Sequence, residues 1–378
     1  MLRLSSAVFV GFAVGGLAAC APLPAQTTLK DAYRGVFRIG VALNPALFSG
    51  SDARGAALVQ EQFNSITPEN VLKWGLVHPQ EGRYDFSRAD QYVAFGESSH
   101  MFIIGHCLVW HSQTPRWVFE DGQGHPAARE QLLERMRDHI HTVVGRYKGR
   151  VHGWDVVNEA LNDDGTLRQS QWMKIIGEDY LAKAFQFAHE ADPAAQLYYN
   201  DYSLERESKR KGMVELVGKL KAQGVPVYAV GTQGHWQLDG PTAGSISETL
   251  DAIAGVGVKA MVTELDIDVL PAAWAVHTAD VNAKAEAKAT EFARLNPYPQ
   301  ELPAEVQQRL TERYGEIFKV FVRHANTIER VTFWGLTDAS SWLNNWPLRG
   351  RTSYPLLFDR AGQPKPAFLA VIAAGRAR

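Results

Sequence analysis

Cysteine is nearly absent from this 378-residue chain, which holds only Cys20 and Cys107. No disulfide framework can be built from them, and Cys107, inside an apolar run, reads as a buried free thiol. An excess of one charge is missing too. With Lys+Arg 39 against Asp+Glu 41 the formal net charge is -2, which excludes the electrostatic footprint of a nucleic-acid binder or of a protein drawn to an anionic surface. Pro/Ser-rich hinges, low-complexity tracts and solenoid-length repeats are lacking. The turn after the first β-rich run, Gly40-Val41-Ala42-Leu43-Asn44, lacks the glycine pattern of a phosphate-binding turn.

The one long apolar stretch is N-terminal. Met1-Leu2-Arg3 is a positive n-region, Leu4 to Leu17 is apolar and small, and Leu17-Ala18-Ala19-Cys20 closes it. That ending resembles a bacterial lipobox, which implies a signal peptide over 1–20, lipidation at Cys20, and an exported protein anchored at the outer membrane or in the periplasm. A plain secretory peptide cut near Ala19 or Ala25 is the competing reading. The segment is too short for a permanent transmembrane helix. Residues 21–29 then form a short linker, and 30–378 a single domain expected to be monomeric.

What is present in quantity is apolar and aromatic surface. Hydrophobic residues make up 46% of the chain, with 10 Trp and 12 Tyr, flat amphipathic side chains that suit the apolar face of a sugar as well as a core. Short β-rich runs at 37–41, 63–67, 101–106, 151–158, 196–200, 227–231, 260–264 and 330–335 alternate with helical stretches such as 129–146, 178–190, 207–223 and 304–325. Eight such alternations predict the α/β class and a (β/α)8 TIM barrel. A doubly wound sheet shares the alternation but would normally show the glycine turn that is missing here.

Polar and aromatic residues gather where these runs end. Glu69, Asn70, Lys73 and Trp74 follow the second; His106, Trp110, His111 and Gln113 the third; Asn158 and Glu159 the fourth. Asn200, Asp201 and Tyr202 close the fifth, Gln233, His235 and Trp236 the sixth, Glu264 and Asp266 the seventh, and Trp334, Asp338 and Trp342 the eighth. In a closed barrel these ends share the face that carries active sites. Glu159 and Glu264, each reading as the close of a β-rich run, form a carboxylate pair able to divide general acid from nucleophile. Trp154 reads as core, Asp155 as a structural hydrogen-bond partner, and His111 and Trp74 equally as packing or as site support. The histidines match no metal-ligand spacing, so neither a metal nor another cofactor is expected.

The runs Ile66-Thr67-Pro68-Glu69-Asn70 with Lys73-Trp74, Gly105-His106 with Val109-Trp110-His111, Trp154-Asp155-Val156-Val157-Asn158-Glu159, Tyr199-Asn200-Asp201-Tyr202, Gly231-Thr232-Gln233-Gly234-His235, Thr263-Glu264-Leu265-Asp266 and Phe333-Trp334-Gly335 with Ser341-Trp342 occur in this order. Together they resemble glycoside hydrolase family ten, the retaining endo-β-1,4-xylanases, over roughly 30 to 375. The loop 343–351 is similar to that of Gram-negative members.

The resemblance implies that Glu159 is the acid/base and Glu264 the nucleophile, about 5–5.5 Å apart as retention requires. It also implies that His235, held by Asp266, supports the nucleophile and that Asn158 binds the sugar 2-hydroxyl. Glu69, Asn70, Lys73, His106, Trp110, Gln113, Trp334 and Trp342 become sugar-binding residues. Gln233 falls beside the nucleophile, and Asn200 and Tyr202 on the leaving-group side. Gln113 and Trp342 would crowd a glucose hydroxymethyl, favouring xylan and xylo-oligosaccharides over cellulose. A retaining cellulase, an exo-acting glycosidase on short oligosaccharides and a non-catalytic sugar-binding barrel are the alternatives. The stretch 270–302 is expected to cover the leaving-group side.

Overall fold

In the computed structural model, which describes residues 27–273 and 286–377, each of the eight expected runs becomes a strand. They are β1 (Arg38–Leu43), β2 (Ser65–Pro68), β3 (Phe102–Trp110), β4 (Gly153–Asn158), β5 (Gln196–Asp201), β6 (Ala229–Thr232), β8 (Lys259–Asp268) and β9 (Ile328–Phe333). All neighbours are parallel, β1 pairs with both β2 and β9, and β6 pairs with β8, so the sheet closes. The (β/α)8 barrel expected from the alternation is therefore the fold, with helices between strands.

A ninth strand, β7 (His235–Gln237), has no counterpart in the sequence reading. It is not a stave of the barrel. After β6 the chain turns at Gly234, whose φ of +85° suits glycine and where an added Cβ would lie 2.9 Å from Val262. It then pairs only with the upper part of β8, setting His235 opposite Asp266.

Helices wrap the barrel because their apolar residues recur at helical spacing. In helix Ala304–Arg323 the buried residues Leu310, Tyr314, Ile317, Phe318 and Phe321 form one stripe. They meet outward strand residues such as Ile39, Val41, Val331 and Phe333 in the main core. Trp154 joins that core, as expected. The space inside the barrel differs: Ile104, Tyr198, Ala229 and Met261 form a separate small apolar plug, while Thr67, His106, Asp155, Asn200, Thr263 and Thr332, spread over six of the barrel strands, are buried polar residues.

The domain begins one residue before the expected boundary. Thr28 caps helix Leu29–Ala32, and Leu29 is fully buried in the core rather than part of a linker. The expected signal peptide, Cys20 and most of the expected linker lie outside the described residues, as do 274–285 of the stretch 270–302. Its described parts pack on the segment after β9: Ala273 and Leu295 cluster with Leu348, Arg351 donates to Pro271 O, and Tyr354 donates to Tyr298 O. No helix among the described residues is long and apolar enough to cross a membrane.

Candidate active site

Three strands shift register where they approach the carboxyl-end face: β3 against β4 between His106 and Val109, β4 against β5 between Asp155 and Val157, and β8 against β9 between Val262 and Leu265. Bulges re-aim side chains beside active sites. The one in β8 matters most. Thr263 and the next residue, Glu264, both bond Asn200, Thr263 Oγ1 donating to its Oδ1 and Asn200 Nδ2 donating to Glu264 Oε1 at 2.9 Å. Glu264 therefore sits within a strand that runs on to Asp268, not at its end as expected from the sequence.

His235 completes the setting of Glu264. Its Nε2 lies 3.2 Å from Glu264 Oε2 and its Nδ1 3.0 Å from Asp266 Oδ2, while Trp342 Nε1 donates to that same Asp266 oxygen at 2.7 Å. Burial alone would lower the His235 pKa; the flanking carboxylates of Asp266 and Glu264 outweigh it and hold the imidazolium up to about 10. Burial likewise works against the Glu264 carboxylate, but hydrogen bonding to His235, the charges of His106 and His235, and the Asn200 amide bring its pKa below the ordinary value.

Glu159 is held differently. It follows β4 with φ +58°, a left-handed conformation uncommon for a residue with a side chain. Its amide donates to Asn200 O at 2.8 Å. Its Oε2 accepts from Trp110 Nε1 and its Oε1 from Gln233 Nε2, both at 2.8 Å, and His111 Nδ1 stands 4.0 Å from Oε2. Gln113 and Ser203, two more of the four non-glycine residues with positive φ among the described residues, line the same cleft, where backbone strain tends to collect.

That cleft has a volume of about 790 Å³ and is lined by both glutamates. Glu69, Asn70, Lys73, His106, Trp110, Gln113, Asn158, Tyr202, Gln233, His235, Trp334 and Trp342 also reach it. Lys73 Nζ bonds Asn70 Oδ1 at 3.0 Å and lies 4.9 Å from the Trp110 ring. Burial pushes Glu69 up to about 7 against the pull of Lys73, and pushes Lys73 down against the nearby carboxylates. His106 Nδ1 lies 2.9 Å from Asp155, the structural partner expected. Among the described residues no group of His, Cys, Asp and Glu could hold a metal ion.

Several expected roles change. Asn200 is fully buried and does not line the cleft; the closed barrel directs it inward, so it joins Asn158 Oδ1 to Glu264 rather than facing a leaving group. Gln233 lies beside Glu264 only through its backbone carbonyl, which accepts from Glu264 N; its side chain belongs to Glu159. Trp110 is wall and hydrogen-bond donor at once. Asp201 pairs with Lys209 at 2.8 Å with both side chains fully buried, a structural role. Trp74 is buried against His139 at 3.6 Å between ring centroids, which decides for packing. Cleft residues not singled out include Trp346, stacked on Trp342 at 4.8 Å, and Glu205 and Arg206 after β5. Only the Trp346 indole was a usable signal.

Two buried carboxylates facing one cleft at the active-site end of a (β/α)8 barrel, one paired with an imidazolium and the other with neutral donors, define the machinery of a glycoside hydrolase. The family model "Glycosyl hydrolase family 10" matches residues 28–374. The chain belongs to this family. It is 43% identical to endo-1,4-beta-xylanase A of Xylanibacter ruminicola over 92% of its own length and 93% of that protein. It is 41% identical to an endo-1,4-beta-xylanase of Geobacillus stearothermophilus, over 93% and 99%. A solved GH10 endoxylanase from a sugarcane soil metagenome superposes with a TM-score of 0.87 at 47% identity, covering 91% of this chain and 99% of that one.

Proposed function

We propose that this protein hydrolyses internal β-1,4-xylosidic bonds of xylan and xylo-oligosaccharides with net retention. The observation that carries the proposal is the asymmetry of the two carboxylates: Glu264 is bonded to an imidazolium and an amide, Glu159 to an indole and an amide. Ionised Glu264 attacks the anomeric carbon while Glu159 gives its proton to the departing glycosidic oxygen, leaving a glycosyl ester on Glu264. Glu159 then takes a proton from water, whose oxygen attacks the same carbon and frees Glu264. Asn158, with its Oδ1 engaged by Asn200, has its amide donors to offer the sugar 2-hydroxyl, an interaction that strengthens in the transition state. Lys73, Asn70, Glu69 and His106 supply polar contacts to sugar, and Trp334 and Trp342 apolar faces.

The test is digestion of xylan beside carboxymethylcellulose, with NMR of the first products. Mixed oligosaccharides of β configuration from xylan are expected. α products, release of single terminal sugars, or faster cleavage of the cellulose derivative would each overturn the reading.

We also propose that Cys20 is acylated, that the mature protein is held at the membrane by that anchor alone, and that it is a monomer. Leu17-Ala18-Ala19-Cys20 supports the first two. The monomer is supported by the surface: among the described residues only Leu76 and Leu369 are large apolar side chains left exposed. Expressed in a bacterium that processes lipoproteins, wild-type protein should sediment with membranes and Cys20→Ser should not. Wholly soluble wild-type protein would reject the anchor.

A further inference from the structure

Glu159 is anchored at every polar atom, and one of its anchors comes from beyond the catalytic motif. Arg168, part-buried on the segment that follows β4, grips the strand exit: its Nε donates to Glu159 O at 3.0 Å, its backbone N to Ala160 O at 2.7 Å, and its Nη2 to Leu161 O at 2.8 Å. Three successive carbonyls are thus bound by one residue. The same Nη2 also lies 3.0 Å from the hydroxyl of Tyr202, which lines the cleft.

The grip has a physical purpose. A glutamate with φ +58° sits in a sparsely populated backbone region, where it persists only because its surroundings hold it there. The Asn200 carbonyl holds the Glu159 amide; the rigid fork of the guanidinium holds its carbonyl and that of Leu161, which a lysine, with a single nitrogen and no planar fork, cannot do in the same geometry. The segment 160–176 sends back a second support: Trp172 Nε1 donates to Trp110 O at 3.0 Å, and Trp110 in turn bonds the Glu159 carboxylate.

We infer that Arg168 is a positioning residue for the acid/base, fixing Glu159 and the Tyr202 hydroxyl in one geometry for proton transfer to the leaving group. The inference rests on the reading of Glu159 as that acid/base. Arg168 is not among the residues that line the cleft; it acts through Glu159 and Tyr202. Its loss should therefore matter only where a proton must be delivered.

The experiment compares kcat/KM of wild type, Arg168→Met, Arg168→Lys and Glu159→Ala on xylohexaose and on 2,4-dinitrophenyl β-xylobioside, whose leaving group needs no acid. A misplacement of the order of 1 Å can cost about 100-fold, so Arg168→Met should lose about 10- to 100-fold on xylohexaose, with little change on the activated glycoside. Arg168→Lys should fall between it and wild type, and decides the matter in the same way should Arg168→Met fail to fold. Equal losses on both substrates, or no loss on either, would overturn the inference while a strongly leaving-group-dependent Glu159→Ala leaves the acid/base reading intact. A Glu159→Ala variant without that dependence would bring down both.

Discussion

His235 Nε2 lies 3.2 Å from Glu264 Oε2, and the other ring nitrogen is bound to Asp266, so the partner of Glu264 is itself held as a cation. The folded pKa of about 10 stands above the ordinary 6.5. Folding therefore tightens proton binding at His235. The stability it contributes is complete below about pH 6.5 and is lost as pH rises toward 10. Replacing it, as in His235→Gln, should flatten that alkaline loss in denaturant titrations and move the acidic limb of kcat/KM to higher pH, because Glu264 loses a cation that favours its charge. An acidic limb that stays in place would show that His235 does not control the nucleophile.

The two glutamates can be separated by added azide. Glu159→Ala should lose roughly two to four orders of magnitude on xylan, keep its first step on activated aryl xylosides, and yield a β-glycosyl azide as azide attacks the glycosyl-enzyme. Glu264→Ala loses the covalent route for every substrate, and azide can then enter only from the opposite face, giving an α-glycosyl azide. Products of the reverse configurations would exchange the two roles.

Gln113 offers the cleaner test of selectivity. Its φ of +50° suits glycine, so Gln113→Gly should make room for a hydroxymethyl group without strain and raise cello- relative to xylo-oligosaccharide turnover. The gain should lie within about 1–3 kcal/mol, or roughly tenfold to a few hundredfold. Trp342→Ala should shift the ratio in the same direction but at lower absolute rates, because it also removes the donor to Asp266. An unchanged ratio in both variants would place the determinant elsewhere.

A buried histidine pair sets an acid limit. His78 Nδ1 and His139 Nδ1 are 3.2 Å apart, and burial pushes His78 down to about 4 and His139 well below its ordinary value. The unfolded chain binds these protons first. Stability from the neutral pair is full above about pH 6.5 and is lost as pH falls through about 4. Urea unfolding between pH 7 and 4.5 should show a shallower fall for His78→Gln than for wild type; parallel curves would exclude the pair as the source.

The barrel and most of the site were legible in the chain because both leave local marks. The helix 129–146 is found at its expected bounds, and all eight staves coincide with β-rich runs. Glu159 and Glu264 stood out by following apolar residues with polar company. Periodicity reports which face of an element is buried, and the barrel's closure then brings the strand ends to one side.

Partnership leaves no such mark. Asn200 meets Glu264 across 64 residues, and Gln233 meets Glu159 across 74, contacts that exist only once the sheet has closed. A bulge in β8 turns Glu264 inward beside Thr263, and a positive-φ glycine starts the short strand β7 that delivers His235; neither follows from residue type. By itself the sequence determined the order of the strands, the two candidate carboxylates that face the cleft and its aromatic supply, since each depends on neighbours in the chain. The tertiary structure alone decided which donor holds which carboxylate oxygen, and that Arg168 secures the backbone beneath one of them, because hydrogen bonds are set by distances of about 3 Å between atoms that chain order leaves free.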